Sequence, residues 1–109
     1  MRGMSVSARE DTVMFARPEL DAILSVYGRL VASGDCKDYA IDGLADRAVF
    51  SIFRRTSEFP LYRIEKVPAN AKKQGAWKIL APGGTILKRG HELASLLKFF
   101  DRKRFRVVE

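Results

Sequence analysis

The two side-chain types that most often carry catalysis or metal binding each occur once in this chain. His91 is the only histidine and Cys36 the only cysteine, so the sequence excludes a histidine metal cluster and a Cys-x-x-Cys site. A Cys36–His91 nucleophile pair would require the fold to bring both together, and a lone cysteine is more often a small buried residue. We therefore expect no catalytic activity, no metal and no cofactor.

The segment APGGTILKRGHEL combines glycines with cations, as phosphate-binding loops do. It lacks the G-x-x-x-x-G-K-[ST] spacing of a P-loop, and Gly83 and Gly84 fit a tight hairpin turn instead. If a helix begins near His91, its first N–H groups would join Lys88 and Arg89 around one anion site. The alternative is a strand that enters a helix while these cations remain in water.

Aromatic and cationic residues are interspersed in VFSIFRRTSEFPLYRIEK, residues 49–66, and in the segments that follow. A single-stranded nucleic acid is held by cations along its backbone and by exposed rings that stack on its bases. The candidate stacking residues are Phe53, Tyr62 and Trp77. The candidate phosphate-binding residues are Arg54, Arg55, Arg63, Lys72, Lys73 and Lys78. The structural alternative places the rings in the core and pairs the two adjacent arginines with Glu58 or Glu65.

The formal net charge of +7 is concentrated in the second half of the chain. Residues 1–46 contain five Lys/Arg and eight Asp/Glu, a net charge of −3, whereas residues 47–109 contain fifteen and five, a net charge of +10. A surface of one sign attracts partners of the opposite sign. Two hypotheses follow: a module that binds single-stranded nucleic acid, or a noncatalytic adaptor with an acidic protein partner.

The length and composition predict one folded domain in the cytoplasm. A chain of 109 residues with 47% hydrophobic and 30% charged residues is ordinary for a single globular domain. No apolar run approaches the ~20 residues of a membrane span, and the N-terminal segment lacks the apolar region of a signal peptide. The single cysteine suits a reducing compartment.

Hydrophobic periodicity predicts the elements. RPELDAILSVYGRLVASG and HELASLLKFF have apolar residues at helical spacing, and Pro18 and Gly34 mark the start and end of the first helix. Period-two segments predict strands over residues 12–16, 39–44, 48–54, 61–67, 76–81 and 85–89. We expect an α+β domain over residues 12–101: an antiparallel β-meander of about five to six strands with two amphipathic helices, in the order β-α-β-β-β-β-β-α. A flexible leader, residues 1–11, and a basic tail, residues 102–109, would flank it.

The second strand of the meander has large apolar residues on both faces. Phe50 and Ile52 point to one side, and Val49 and Phe53 point to the other. The two helices either cover one face each, or share a face and leave Val49 and Phe53 exposed for pairing or ligand binding. An uncovered face or edge of the sheet would favour a homodimer.

The block YGRLVASGDCKDYAIDGLADRAVFSIFRRTSEFPLYRIEKVP, followed by KKQGAW and ILKRGHEL, resembles an alphaproteobacterial family known only as domain of unknown function 2794. The similarity runs from about Val13 to Asp101. It implies a small cytoplasmic protein of that bacterial class and supplies no active-site residues. In element order alone, residues 39–100 are also similar to the whirly-type single-strand-binding modules of transcriptional cofactors and Pur-alpha proteins, which are commonly dimers.

Overall fold

A computed structural model describes residues 12–55 and 59–101 in full and residues 102–108 as helical backbone. The helices are α1 (Arg17–Ala32) and α2 (Leu93–Val108). The strands are β1 (Asp38–Gly43), β2 (Ala48–Phe53), β3 (Tyr62–Lys66), β4 (Trp77–Leu80) and β5 (Ile86–Gly90). The predicted α+β class is confirmed, with the order α-β-β-β-β-β-α across the described residues. The predicted leader, residues 1–11, lies outside them.

The strand predicted over residues 12–16 does not form. In this segment the N–H of Val13 donates a hydrogen bond to the carbonyl of Leu44 at 2.8 Å, but no strand ladder is formed. The pairing of residues 12–16 with the end of β1 cannot extend into a ladder, because β1 ends at Gly43 and α1 begins at Arg17. At the other end of the chain, α2 continues through residues 102–108, which the sequence predicted to be a tail.

The five strands form one antiparallel sheet in the order β1-β2-β3-β4-β5, so every strand pairs with its neighbour in sequence. The register places Ile41 opposite Phe50, Phe50 opposite Ile64, and Ile64 opposite Ile79. This row of apolar residues crosses four strands on one face. The predicted meander is therefore confirmed, with strand ends shifted by at most one residue.

Both helices pack on the face that carries this row. The apolar core contains three residues of α1, three of α2 and the inward residues of the sheet: Ile23, Val26, Leu30, Leu96, Leu97, Phe100, Ile41, Phe50, Ile52, Ile64, Trp77 and Ile79, together with Cys36. Of the two arrangements left open by the sequence, the shared face is the one that forms. We call the face of the sheet on which the helices pack the core face, and the opposite face the outer face.

For a shared-face arrangement we expected Val49 and Phe53 to be exposed. The outer face does not expose them. All six residues of β2 are buried within the single chain, although neither helix covers the outer face. Val49 lies directly opposite Glu65, whose carboxylate is paired with Arg47 and Lys78. Long charged side chains commonly cover neighbouring apolar groups with their aliphatic stems, and these two pair with the residue opposite Val49.

Candidate functional site

The aromatic residues predicted to stack on bases are not presented as a platform. Phe53 and Trp77 each retain 6% of their exposure, and the Trp77 ring is stacked on Phe15 with centroids 6.1 Å apart. Tyr62 is half-buried and meets Phe99 and Phe100 edge to face at 6.0 and 5.3 Å. These rings do not form an open platform in the structure, and a base can stack only on an open ring face; their role in nucleic-acid binding stays a prediction.

The cations predicted to bind phosphate fall into separate groups. Arg54 and Arg55 are exposed at the end of β2. Arg54 lines a cavity of about 170 Å³ between α1, α2 and the sheet, which also contains Cys36 and Tyr62. Burial, together with the nearby Asp35 carboxylate, raises the pKa of the Cys36 thiol to about 11, so this cysteine is a poor nucleophile at neutral pH.

Arg63 belongs to a different surface, at the connection between β4 and β5. It lines an open cleft of about 430 Å³ with Phe59, Pro60, Pro82 and Gly83. Phe59 is 87% exposed and was not among the residues predicted for a site. Its position between two predicted strands, outside any alternating strand pattern, was the available signal.

Lys78 takes part in an ion-pair network on the outer face. The Glu65 carboxylate is buried and accepts a hydrogen bond of 2.7 Å from Nη1 of Arg47, while Nζ of Lys78 lies 3.9 Å away. The predicted pairing of Glu65 with Arg54 or Arg55 is therefore wrong. Glu58, the other predicted partner, lies outside the described residues. A hydrogen bond from Arg47 also lowers the pKa of the Asp46 carboxyl.

The remaining predicted cations meet at one corner of the sheet, where β5 ends. Gly75 lies against the carbonyl of Gly90, and the Arg89 guanidinium donates a hydrogen bond to the side-chain oxygen of Gln74. These two contacts hold the turn over residues 71–74 beside the end of β5. The exposed cations of this corner are Lys72, Lys73, Lys88 and Arg89, with His91 next to them. We call them the β5 corner.

The β5 corner is cationic and has little internal compensation. Among the described residues, no carboxylate forms an ion pair with Lys72, Lys73 or Lys88. A cleft of about 250 Å³ between β5 and α2 is lined by Lys88, Arg89, Gly90, His91, Glu92, Ser95 and Leu96. The lining of this cleft therefore contains one acidic side chain, that of Glu92, beside the cations. A field of this kind attracts anions.

Helix α2 begins two residues later than the predicted start near His91. It starts at Leu93, and the N–H of Leu96 bonds to the carbonyl of Glu92 at 3.1 Å, which makes Glu92 the residue that precedes the helix. His91 and Cys36 line different cavities. Within residues 12–55 and 59–101, no group of three His, Cys, Asp or Glu side chains could hold a metal ion.

Strand β5 is an edge strand of the sheet and is exposed along most of its length. Residues 86–89 are all exposed, including the apolar side chains of Ile86 and Leu87 at 38% each. Pairing with β4 occupies one side of the strand, and no described strand pairs with the other side. The backbone groups of an edge strand that point away from the sheet are available for hydrogen bonds.

Comparison with models of protein families gives a match. The model of a family described as protein of unknown function (DUF2794) matches residues 13–97, which agrees closely with the span of the resemblance found in the sequence. A search of curated proteins and a search of solved structures each found no match. None of the described helices is both long enough and apolar enough to cross a membrane.

Proposed function

The chain belongs to the DUF2794 family, and because that description assigns no activity, we propose from the residues that it is a small basic binding module without catalysis. Its partner in this proposal is an acidic protein, in the cytoplasm. The observation that carries the proposal is the β5 corner, where a turn that carries two exposed lysines is held beside an edge strand that carries two exposed cations.

The surroundings of these cations favour a protein partner. The exposed Ile86 and Leu87 lie on the same strand as Lys88 and Arg89. Protein interfaces combine an apolar centre with a polar rim, whereas modules for single-stranded nucleic acid commonly add open aromatic faces, on which bases stack, to their cations. The rings predicted for that role, Phe53 and Trp77, are buried.

Binding of single-stranded nucleic acid is the second candidate. The net charge of +10 over residues 47–109 favours it, and the same four cations would then contact phosphates without base stacking. Such binding would be independent of base sequence and would weaken steeply as salt rises, because cations on the protein displace counterions from the nucleic acid.

The test compares two double variants that lose the same charge at different places. Lys72→Ala with Lys73→Ala removes two cations of the β5 corner, whereas Arg54→Ala with Arg55→Ala removes two from the end of β2. Each is titrated with a flexible aspartate-rich and glutamate-rich peptide and with single-stranded DNA over a salt series, and its melting temperature is measured.

We expect the lysine variant to bind the acidic peptide about 2- to 30-fold more weakly, since each of the two exposed charge pairs contributes ~0.2–1 kcal/mol. The arginine variant should bind nearly as the original chain does. Equal losses in both variants would show a diffuse charge effect and contradict a site at the β5 corner. Binding of DNA without binding of the acidic peptide would replace the proposal by the second candidate.

A further inference from the structure

We propose that the acidic partner binds as an additional strand: an extended segment with two adjacent acidic residues pairs with the outer edge of β5. This inference rests on the proposed function and specifies how the β5 corner would be used. Backbone hydrogen bonds would supply the affinity of such a complex, and side chains would supply its specificity.

The first support is the geometry of the edge. An added strand requires a length of extended backbone that neighbouring elements leave accessible. Residues 86–89 are exposed, and the two connections at the ends of β5 run to β4 and to α2. Five residues of strand span about 17 Å, which is enough for a short extended peptide.

The second support is the placement of the two cations on β5. Lys88 lies opposite Ile79, whose side chain belongs to the core face, and Arg89 lies opposite Lys78, which belongs to the outer face. The two cations therefore point to opposite sides of the strand. Residues directly opposite each other on paired strands contact each other through their side chains. A partner with two adjacent acidic residues would place one carboxylate beside each cation.

The same cations disfavour a second copy of this chain as the occupant. Lys88 is the central residue of β5, so symmetric antiparallel pairing of two β5 strands would place Lys88 opposite its own equivalent. Like charges directly opposite each other destabilise a strand pair, and lysines on edge strands commonly prevent self-association. The charges that repel a second copy attract an acidic segment, which gives selection between the two partners.

A bulge in β5 limits the length of the added strand. Ile79 pairs with Lys88 but Leu80 pairs with Ile86, so Leu87 has no partner in β4. A bulge increases the local twist and interrupts a regular ladder. We therefore expect regular pairing over the part of β5 that carries Lys88 and Arg89, with apolar contacts to Ile86 and Leu87 at the other end.

The experiment uses a blocked peptide of about seven residues, long enough to extend past both ends of a five-residue strand. It has two adjacent glutamates in its centre and valine or threonine at its other positions. The first control has the same sequence with methyl groups on its backbone nitrogens, which keeps the charge but removes the N–H donors of both edges and obstructs strand pairing sterically. The second control has lysines in place of the glutamates. Binding is measured by titration, and protection of the β5 amides is measured by hydrogen exchange.

We expect the glutamate peptide to bind, to protect backbone amides of β5, and to bind at least about tenfold more tightly than its methylated form. The β1 amides should not change. In a chain with Lys88→Glu and Arg89→Glu, the preference should reverse toward the lysine peptide. A melting curve of this variant, in which the Arg89 contact with Gln74 is lost, verifies that it is folded at the assay temperature.

The outcomes separate this inference from the proposed function. Equal binding of the methylated and unmethylated acidic peptides, without protection of β5, would overturn strand addition and leave the acidic partner standing. Failure of every acidic peptide at low salt, including the flexible one used above, would overturn both. Protection of the β1 amides in place of those of β5 would also overturn strand addition at β5.

Discussion

Three glycine-to-alanine substitutions should change stability in different directions, although the chemical change is the same. Gly28 lies inside α1, and a Cβ atom there would meet no other atom within 4 Å. Gly83 has a positive φ of 88° and equally open surroundings. Gly75 has a positive φ of 99°, and a Cβ atom there would overlap the carbonyl group of Gly90 and lie 2.8 Å from the backbone nitrogen of His91.

The expected magnitudes follow from these surroundings. Gly28→Ala should raise the free energy of unfolding by about 1 kcal/mol, because alanine loses less backbone entropy than glycine in a helix. Gly83→Ala should lower it by about 1–2 kcal/mol, since an L-residue is strained in the left-handed region. Gly75→Ala should lower it by about 2–5 kcal/mol, because the strain of positive φ is joined by displacement of a packed backbone segment.

Urea denaturation followed by circular dichroism measures all three, with the slope of the transition checked for constancy. For a chain of this size, 1 kcal/mol corresponds to about 4–8 °C in melting temperature, so the order of the three variants is resolvable. A Gly75→Ala variant no less stable than Gly83→Ala would refute the contact between the turn and β5. The position of Lys72 and Lys73 beside β5 would then lose its support.

Four further predictions concern particular contacts and the assembly. Arg47→Ala should lower the free energy of unfolding by about 2 kcal/mol, because it removes a charged hydrogen bond from the buried Glu65 carboxylate. The effect is no larger because the Arg47 side chain is 32% exposed and solvent screens its charge. Additive effects of Arg47→Ala and Glu65→Gln in a double-mutant cycle would contradict direct coupling. The lowered pKa of Asp46 means that its pairing with Arg47 stabilises the fold above the ordinary carboxyl pKa and ceases as pH falls through the lowered value; an NMR titration in which Arg47→Ala leaves that pKa unchanged would show the cause to be wrong. Cys36, with a pKa of about 11, should react with a thiol reagent at pH 8 much more slowly in the folded chain than in urea, and equal rates would exclude its burial. The homodimer stays a prediction and would use a surface other than the outer edge of β5, where Lys88 opposes self-pairing; a monomer mass by light scattering at high micromolar concentration would contradict it.

Local patterns in the sequence determined the elements and their order. The apolar spacing in residues 17–34 predicted α1 and its end near Gly34, and the helix runs over Arg17–Ala32. The turn residues Gly83 and Gly84 predicted the connection between β4 and β5, where the N–H of Ala81 bonds to the carbonyl of Thr85 at 2.8 Å. These features are predictable because helix periodicity, strand alternation and turn conformation depend on residues close together in the chain.

Only the tertiary structure decided which surfaces are open. Period two identified two faces of β2, but the burial of Phe53 on the outer face depends on tertiary packing that the alternation does not report. The charge pattern did not distinguish Arg47 from the other arginines. Its pairing with Glu65 joins residues that are 18 positions apart in the chain. Likewise Lys72 lies in a turn and Lys88 lies in β5. They belong to the same corner of the sheet because Gly75 packs on Gly90. Pairings between distant residues have no local signature, because the free energy that selects them comes from burial and hydrogen bonding in the assembled sheet.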